Sequence, residues 1–290
     1  MSRLFVALLW LVHWLPMPVL VPVGRGFGRL LRVVARRRRH IVDVNLALCF
    51  PELDEAARKR LAREHFAMLG RSFLERGIQW WGSAARIESL VRVEGVEPVK
   101  RMLEAGEHVI LLVPHFLALD VGGAGVGLHL NTVATYKRQS SDVIDRWLRY
   151  GRARFGDQVL LPTDAGLRRV IREIRSGRPF YYLPDMDYGR RESIFVPFFG
   201  VPAATIAGLP RLAGTVPAKV VPVVMRMLPG AQGYAVRFEP AWADFPGEDT
   251  EADVKRMNAW IESVVRTMPE QYYWVHRRFK TRPEGEPRLY

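Results

Sequence analysis

The sequence is poor in cysteine and contains fewer acidic than basic residues, and both shortages narrow the functions open to it. Its 290 residues include a single cysteine, Cys49, which excludes an internal disulfide and a cysteine-rich metal site. There are 43 Lys and Arg against 30 Asp and Glu, so the formal net charge is +13. Such an excess favours an acidic partner, which is nucleic acid, an anionic membrane, or an acidic or phosphorylated substrate.

Several well-known catalytic signatures are also missing. The sequence has no Gly-x-Ser-x-Gly nucleophile elbow, no Gly-x4-Gly-Lys-Ser/Thr phosphate loop and no His-Glu-x-x-His zinc pair. Cys49 lies in an apolar stretch and is predicted to be a packing residue. Because no nucleophile stands out, a general base that activates the hydroxyl of an acceptor substrate is the simplest mechanism.

Charge is absent from the stretch 4–23, LFVALLWLVHWLPMPVLVPV. Its length is what a helix needs to cross a bilayer, but prolines at positions 16, 18 and 22 interrupt a helix. The unbroken part, 4–15, would rise about 18 Å at ~1.5 Å per residue. The sequence therefore predicts an N-terminal hydrophobic membrane anchor, residues 1–24, that either spans the bilayer or enters one leaflet.

Basic residues follow this stretch directly. They are Arg25, Arg29, Arg32 and the run RRRR at 36–39. No small-x-small cleavage site precedes them, which disfavours a signal peptide, and such a cluster holds the following chain on the cytoplasmic side. Arginines near a membrane surface also bind anionic head groups, at about 1 kcal/mol each. An alternative is a non-enzymatic protein that binds nucleic acid through the run at 36–39.

The remainder, 25–290, is predicted to be one domain of the α/β class, a mixed central sheet flanked by helices. Helical spacing of apolar residues runs from 55 to 69, is interrupted at Gly70 and resumes towards Trp81. Further helices are predicted at 167–174 and from 250 to 268. Short apolar runs predict strands at 108–113, 132–136, 158–161, 179–183, 218–225 and 234–238. Strands that alternate with helices are typical of this class.

The stretch PHFLALD at 114–120 directly follows the first of these strands. Strand carboxyl ends carry the chemistry of α/β folds, and a histidine there, His115, suits a general base. Asp120 is predicted to accept a hydrogen bond from the other ring nitrogen. Residues five apart on a helix differ by about 140°, so this pairing requires His115 to lie in the turn before the helix.

Two carboxylates, Asp185 and Asp187, follow the strand at 179–183 in the stretch PDMDYG. Carboxylates two residues apart at a strand end suit a divalent metal, as in sugar-nucleotide glycosyltransferases. A metal-dependent membrane glycosyltransferase is therefore an alternative function. The other interpretation, which we prefer, is a turn whose aspartates cap backbone amides, pair with arginine or orient the substrate.

Together, several segments resemble one family, the late (lauroyl/myristoyl) acyltransferases of lipid A biosynthesis. They are NL at 45–46, CFPE at 49–52, HF at 65–66 with Gly70 and Glu75, PHFLALD at 114–120, PDMDYG at 184–189, FVPFFG at 195–200 with AAT at 203–205, and PEQYYWVHRRFKTRP at 269–283. The family commonly has Tyr-Arg-Pro where this chain has YKRQ at 136–139. It also tends to have Gln at the position of Met186.

The resemblance implies a bacterial inner-membrane enzyme that takes an acyl chain from acyl carrier protein. The acceptor would be the hydroxyl of a 3-hydroxyacyl chain on a phosphorylated lipid A precursor, and membrane lipids would surround the enzyme. Neither a metal, an organic cofactor nor nucleic acid is expected. His115 and Asp120 match the family's catalytic pair. Because arginines bind phosphate bidentately, Arg138, Arg149 and Arg152 are candidate ligands for the phosphates of such a substrate, and Asp185 and Asp187 are further candidate substrate-binding residues.

Overall fold

The computed structural model describes residues 2–290. The eleven helices of these residues are α1 (Ser2–Val12), α2 (Met17–Val34), α3 (Arg36–Cys49), α4 (Glu55–Trp81), α5 (Ala84–Leu90), α6 (Val96–Glu104), α7 (Leu119–Gly127), α8 (Asp142–Ala153), α9 (Leu167–Arg175), α10 (Gly208–Thr215) and α11 (Thr250–Thr267). The strands are β1 (Val91–Glu94), β2 (His108–Leu112), β3 (Val133–Tyr136), β4 (Val159–Pro162), β5 (Phe180–Tyr182), β6 (Ser193–Phe198), β7 (Val201–Ile206), β8 (Ala218–Met227) and β9 (Tyr234–Phe238).

Seven strands form one sheet in the order β1-β9-β8-β2-β5-β3-β4. All neighbours are parallel except β8 and β9, which pair antiparallel. The predicted α/β class with a mixed central sheet is therefore confirmed. β2 lies in the middle, and its residues from Val109 to Leu112 are fully buried, as expected of a continuous apolar strand covered on both faces. A separate antiparallel hairpin, β6-β7, packs against α11.

The predicted interruption at Gly70 is wrong, because α4 runs unbroken from Glu55 to Trp81. Gly70 lies where α4 crosses α2, and a Cβ atom there would come within 2.3 Å of backbone atoms of Gly24 and Gly28. The glycine is therefore needed for close approach of two helices rather than for a break. Cys49 is buried at the end of α3, in agreement with its predicted packing role.

The N-terminal apolar stretch forms two helices instead of one. α1 ends at Val12, and α2 begins at Met17 with Pro16 at its N-cap and Pro18 in its first turn, where proline is tolerated. The predicted interruption at Pro22 is wrong, because Pro22 lies inside α2. Within the described chain, no helix is both long enough and apolar enough to cross a membrane.

Candidate active site

The loop that carries His115 joins β2 to α7 and is held by the C-terminal part of the chain. Phe116 forms an isolated bridge with Tyr272, and the Leu117 amide donates to the carbonyl of Gln271. The Tyr273 amide also donates to the His115 carbonyl over 3.0 Å. His115 thus lies before the helix, as its predicted role required, and its backbone is held by the segment 271–273.

The ring of His115 is oriented by Asp185. Its Nδ1 atom lies 2.6 Å from Asp185 Oδ1, and the His115 amide donates to Oδ2 over 2.9 Å. The carboxylate side chain is 1% exposed, whereas the histidine side chain is 20% exposed. One aspartate therefore binds both the backbone and the ring of the histidine.

The protonation of this pair follows from its surroundings. Burial alone would raise the pKa of Asp185, but the adjacent His115 and hydrogen bonds from it and from the Tyr272 hydroxyl hold that pKa below its ordinary value. A carboxylate only accepts hydrogen bonds, so the geometry assigns the ring proton to Nδ1. Nε2 then carries a free lone pair, and no group of residues 2–290 donates to it.

The predicted hydrogen bond between His115 and Asp120 is not formed, which corrects the expected pairing. Asp120 lies in the first turn of α7 and binds two arginines instead. Arg76 donates to Oδ2 from Nη2 over 2.6 Å and from Nε over 3.0 Å, and Arg152 donates to Oδ1 over 3.2 Å. The helical turn directs the carboxylate towards α4 and α8, while His115 reaches the loop after β5.

Asp120 is an anchor for positive charge at this site. Its side chain is 12% exposed, and burial would raise the pKa of its carboxyl. The charges and hydrogen bonds of Arg76 and Arg152 outweigh burial and place that pKa well below the ordinary value. In addition, Gln79 donates to the backbone carbonyl of Asp120 over 2.8 Å. Asp120 therefore stays ionised and holds both guanidinium groups in place.

Asp187 is used inside the protein. Its Oδ1 accepts from the Gly189 amide over 2.9 Å and from the Thr281 hydroxyl over 2.8 Å, and its Oδ2 accepts from the Thr281 amide over 2.7 Å. The Lys280 ammonium lies 3.7 Å away. The capping interpretation of this turn thus agrees with the structure. With the Asp185 carboxylate bound to His115, the metal-dependent glycosyltransferase alternative is not favoured.

The three arginines proposed as phosphate ligands lie in different surroundings. Arg152 borders the cavity next to His115, although its guanidinium also binds Asp120. Arg149 is half exposed and pairs with Asp145 on the same helix over 3.0 Å. Arg138 is exposed on the segment after β3, next to Lys137, which lines the cavity. The structure therefore brings one of the three to the cavity wall.

His276 belongs to the site but was assigned no role from the sequence. Its Nε2 accepts a hydrogen bond from the Asp187 amide over 2.9 Å, so it supports the turn that carries both aspartates. Burial, helped by the nearby His115 and Arg278, lowers the pKa of His276 to about 4. It is therefore neutral at neutral pH. Arg76 and Gln79, which bind Asp120, have no local sequence signal, since they lie on the distant helix α4.

A cavity of about 640 Å³ opens beside His115 and Asp120. It extends along one face of the sheet, because most of the strand residues that line it alternate: 132, 134 and 136 near β3, 158 and 160 near β4, and 181 and 183 near β5. Thr135 of β3 also borders it. Leu119 and Gly123 of α7 lie opposite, and Lys137 and Lys280 also line it. Its volume is typical of a small-molecule site, and its lining combines apolar side chains with a few polar groups.

Comparison with known proteins identifies the family. The family model described as bacterial lipid A biosynthesis acyltransferase matches residues 1–281. The lipid A biosynthesis lauroyltransferase of Escherichia coli (strain K12) is 37% identical over 100% of this chain and 94% of its own length. The palmitoleoyltransferase of that strain is 35% identical (97% and 92% covered), and its myristoyltransferase is 33% identical (94% and 83% covered). The chain therefore belongs to the bacterial lipid A biosynthesis acyltransferase family.

Proposed function

We propose that this acyltransferase of lipid A biosynthesis moves a fatty acyl chain from acyl carrier protein to the hydroxyl of a 3-hydroxyacyl chain on a phosphorylated lipid A precursor. His115 is the general base, and Asp185 orients it. The observation that carries the proposal is the 2.6 Å contact between His115 Nδ1 and a buried carboxylate, which leaves Nε2 free at the wall of the cavity.

The proposed reaction needs no covalent enzyme intermediate. Nε2 of His115 takes the proton of the acceptor hydroxyl while the oxygen of that hydroxyl bonds to the carbonyl carbon of the thioester. The carbon–sulfur bond then breaks, and the imidazolium gives the proton to the departing thiolate, so an ester and a free thiol are formed. Asp185 stabilises the imidazolium while the proton is on the ring.

The charge and shape of the site support both substrates. Acyl carrier protein is acidic, and the formal charge of +13 would speed its association. Exposed Lys137 and Lys280 at the cavity, together with Arg138, are available to phosphate or carboxylate groups. The apolar part of the cavity suits the acyl chain. The three relatives carry names with three different acyl groups, so family membership does not fix the chain transferred here.

We further propose that the enzyme works at the bacterial inner membrane, with its catalytic residues on the cytoplasmic side. The support is an apolar face on α1, α2 and the turn between them, defined by the exposed residues Leu4, Leu8, Leu11, Trp14, Val19, Val23, Leu30, Val33 and Val34. Their spacing of mostly three or four places them on the outer sides of the two helices. Exposed Arg29, Arg36 and Arg37 lie at the end of this face. Such helices bind a bilayer in the plane of its surface.

A flotation experiment with anionic vesicles tests the membrane proposal. Replacing Leu11, Leu30 and Val33 by serine should abolish binding, because burial of this face in lipid supplies the attraction. Leu167→Ser is the matched control, since Leu167 is 59% exposed but lies on α9, outside the face. Equal binding of the triple variant and the wild-type protein would contradict the proposal.

The catalytic proposal is tested with purified His115→Ala protein and acyl carrier protein charged with a fatty acid. General-base assistance is worth about 10² to 10⁴ in rate, so kcat should fall by that factor while the circular dichroism spectrum stays unchanged. An EDTA-treated wild-type sample should keep its activity. Near wild-type turnover by His115→Ala would overturn the assignment of the base, and loss of activity in EDTA that manganese restores would favour a metal mechanism.

A further inference from the structure

Helix α7 contains four glycines, Gly122, Gly123, Gly125 and Gly127. Glycine is a poor helix former because it loses the most backbone entropy, so each glycine inside a helix needs a reason. For three of them the reason is close packing. A Cβ atom would lie 3.0 Å from Met225 Sδ at Gly122, 2.5 Å from Val91 at Gly125, and 3.1 Å from the Phe155 carbonyl at Gly127.

Gly123 differs from the other three. It is the only one of the four that is not fully buried, and a Cβ atom there would meet a single neighbour, the Tyr181 hydroxyl, at 3.5 Å. That distance is an ordinary van der Waals contact, so packing does not require a glycine. The side that Gly123 leaves open is the cavity beside His115, which it lines together with Leu119 one turn earlier.

The sheet register shows how far from His115 this opening lies. Tyr181 of β5 pairs with Ala134 of β3 and with Leu111 of β2. Leu111 lies four residues before His115 along the chain. At ~3.3 Å per residue, these four positions correspond to about 13 Å. Thr132 and Gln158 lie two positions further back, at the other end of the lining. An acyl chain is about 15 Å long, half of the ~30 Å hydrocarbon core of a bilayer. A chain that starts at His115 would therefore pass Gly123 near its end.

We infer that Gly123 determines the acyl-chain length that this enzyme accepts, because its missing side chain opens the part of the cavity that receives the terminal carbons of the chain. This inference rests on the proposed function. Tyr181, whose hydroxyl contacts Met225 Sδ at 3.3 Å, forms the opposite wall and is held in place by that contact. A side chain at position 123 would project towards Tyr181 and shorten the usable cavity.

The test compares Gly123→Ala and Gly123→Leu with wild-type protein, using acyl carrier protein charged with decanoyl, lauroyl, myristoyl or palmitoyl groups. A single methylene in an apolar pocket changes kcat/KM by roughly 10- to 200-fold. For the longest donor that wild-type protein uses, Gly123→Ala should therefore lower kcat/KM relative to the shortest donor by roughly tenfold, and Gly123→Leu should lower it further. Gly214→Ala is the control, because Gly214 on α10 has a similarly open surrounding, with Pro246 at 3.6 Å.

The outcomes separate this inference from the proposed function. If wild-type protein transfers acyl groups but both Gly123 variants keep its chain-length profile, the inference is overturned and the proposed function stands. If wild-type protein transfers none of the donors, the proposed function fails. The inference is then tested by the affinities of the free fatty acids of the same lengths, measured by calorimetry. Gly123→Leu should lose the longer acids selectively, and unchanged relative affinities would overturn the inference. Gly123→Ala should be at least as heat-stable as wild-type protein, so misfolding would not obscure the result.

Discussion

Asp185 and Asp120 are two carboxylates on either side of the same histidine loop, the first buried and the second 12% exposed, but they bind opposite kinds of partner. Asp185 accepts hydrogen bonds from the ring and backbone of His115, whereas Asp120 is bound by the guanidinium groups of Arg76 and Arg152. The first therefore controls a proton, and the second fixes two positive charges. Closeness in the sequence is a poor guide here, since the aspartate five residues from His115 is not its partner and the one seventy residues away is.

The largest difference between the two carboxylates is expected in turnover. Asp185→Asn should lower kcat by about 10³ to 10⁴, because an amide no longer fixes the ring tautomer or stabilises the imidazolium. Asp120→Asn should lower kcat less, since it leaves the Asp185–His115 contact intact. Steady-state kinetics on both variants, with folding checked by circular dichroism, measures the contrast. A larger kcat loss in Asp120→Asn would reverse the roles proposed here.

The next largest effect is expected in the stability of the Asp120 cluster. Asp120→Asn leaves two guanidinium groups without their carboxylate and should lower the free energy of unfolding by about 2–3 kcal/mol, less than for a fully buried pair because solvent reaches Arg152. Arg149→Gln is the control. It breaks the half-exposed pair with Asp145 and should cost less than about 1 kcal/mol. Urea unfolding gives both values, and equal costs would show that the Asp120 cluster adds no more stability than a half-exposed ion pair.

The smallest expected effect is on the acid side of the stability profile. The pKa of Asp120 is lowered in the folded protein, so its contribution is complete above the ordinary carboxyl pKa of about 4 and is lost as the pH falls below it. Stability of the wild-type protein should therefore fall between about pH 5 and pH 3 more steeply than that of Asp120→Asn. Parallel curves from urea unfolding would contradict this.

Two buried histidines add a further pH dependence of stability, which Asp120→Asn shares with wild-type protein. Burial lowers the pKa of His65 and that of His276 to about 4, so both are neutral in the folded state when the unfolded chain begins to protonate them. Their contribution is complete above about pH 6.5 and decreases as the pH falls from there towards 4. The comparison of Asp120→Asn with wild-type protein removes this common part.

Much of the fold could be predicted from the sequence, because local patterns determine it. Apolar runs predicted six strands, each with its ends within two residues of those observed: β2, β3, β4, β5, β8 and β9. Helical spacing predicted α9 and α11. β1 and the hairpin β6-β7 were not predicted. β1 is only four residues long, and its valines alternate with charged residues. Much of the hairpin is only partly buried. Neither therefore produces a dense apolar run in the sequence.

The site was only partly predictable, for a different reason. His115 could be located because it follows a buried strand, and the turn at Asp185 and Asp187 because it follows another. The partners depend on which strands are neighbours. β2 and β5 are adjacent in the sheet, which brings Asp185 to His115, and no spacing along the chain encodes that order. Gly70 was misread for the same reason, since its role depends on the distant helix α2.

The most direct test of the account is the tautomer of His115, read from nitrogen NMR of protein labelled at histidine and assigned with His115→Gln. In wild-type protein the neutral imidazole of His115 should carry its proton on Nδ1 and none on Nε2, because Asp185 accepts a hydrogen bond from Nδ1. Asp120→Asn should keep this pattern, and Asp185→Asn should lose it. A pattern that survives in Asp185→Asn but is lost in Asp120→Asn would contradict the central claim that Asp185 orients the catalytic histidine.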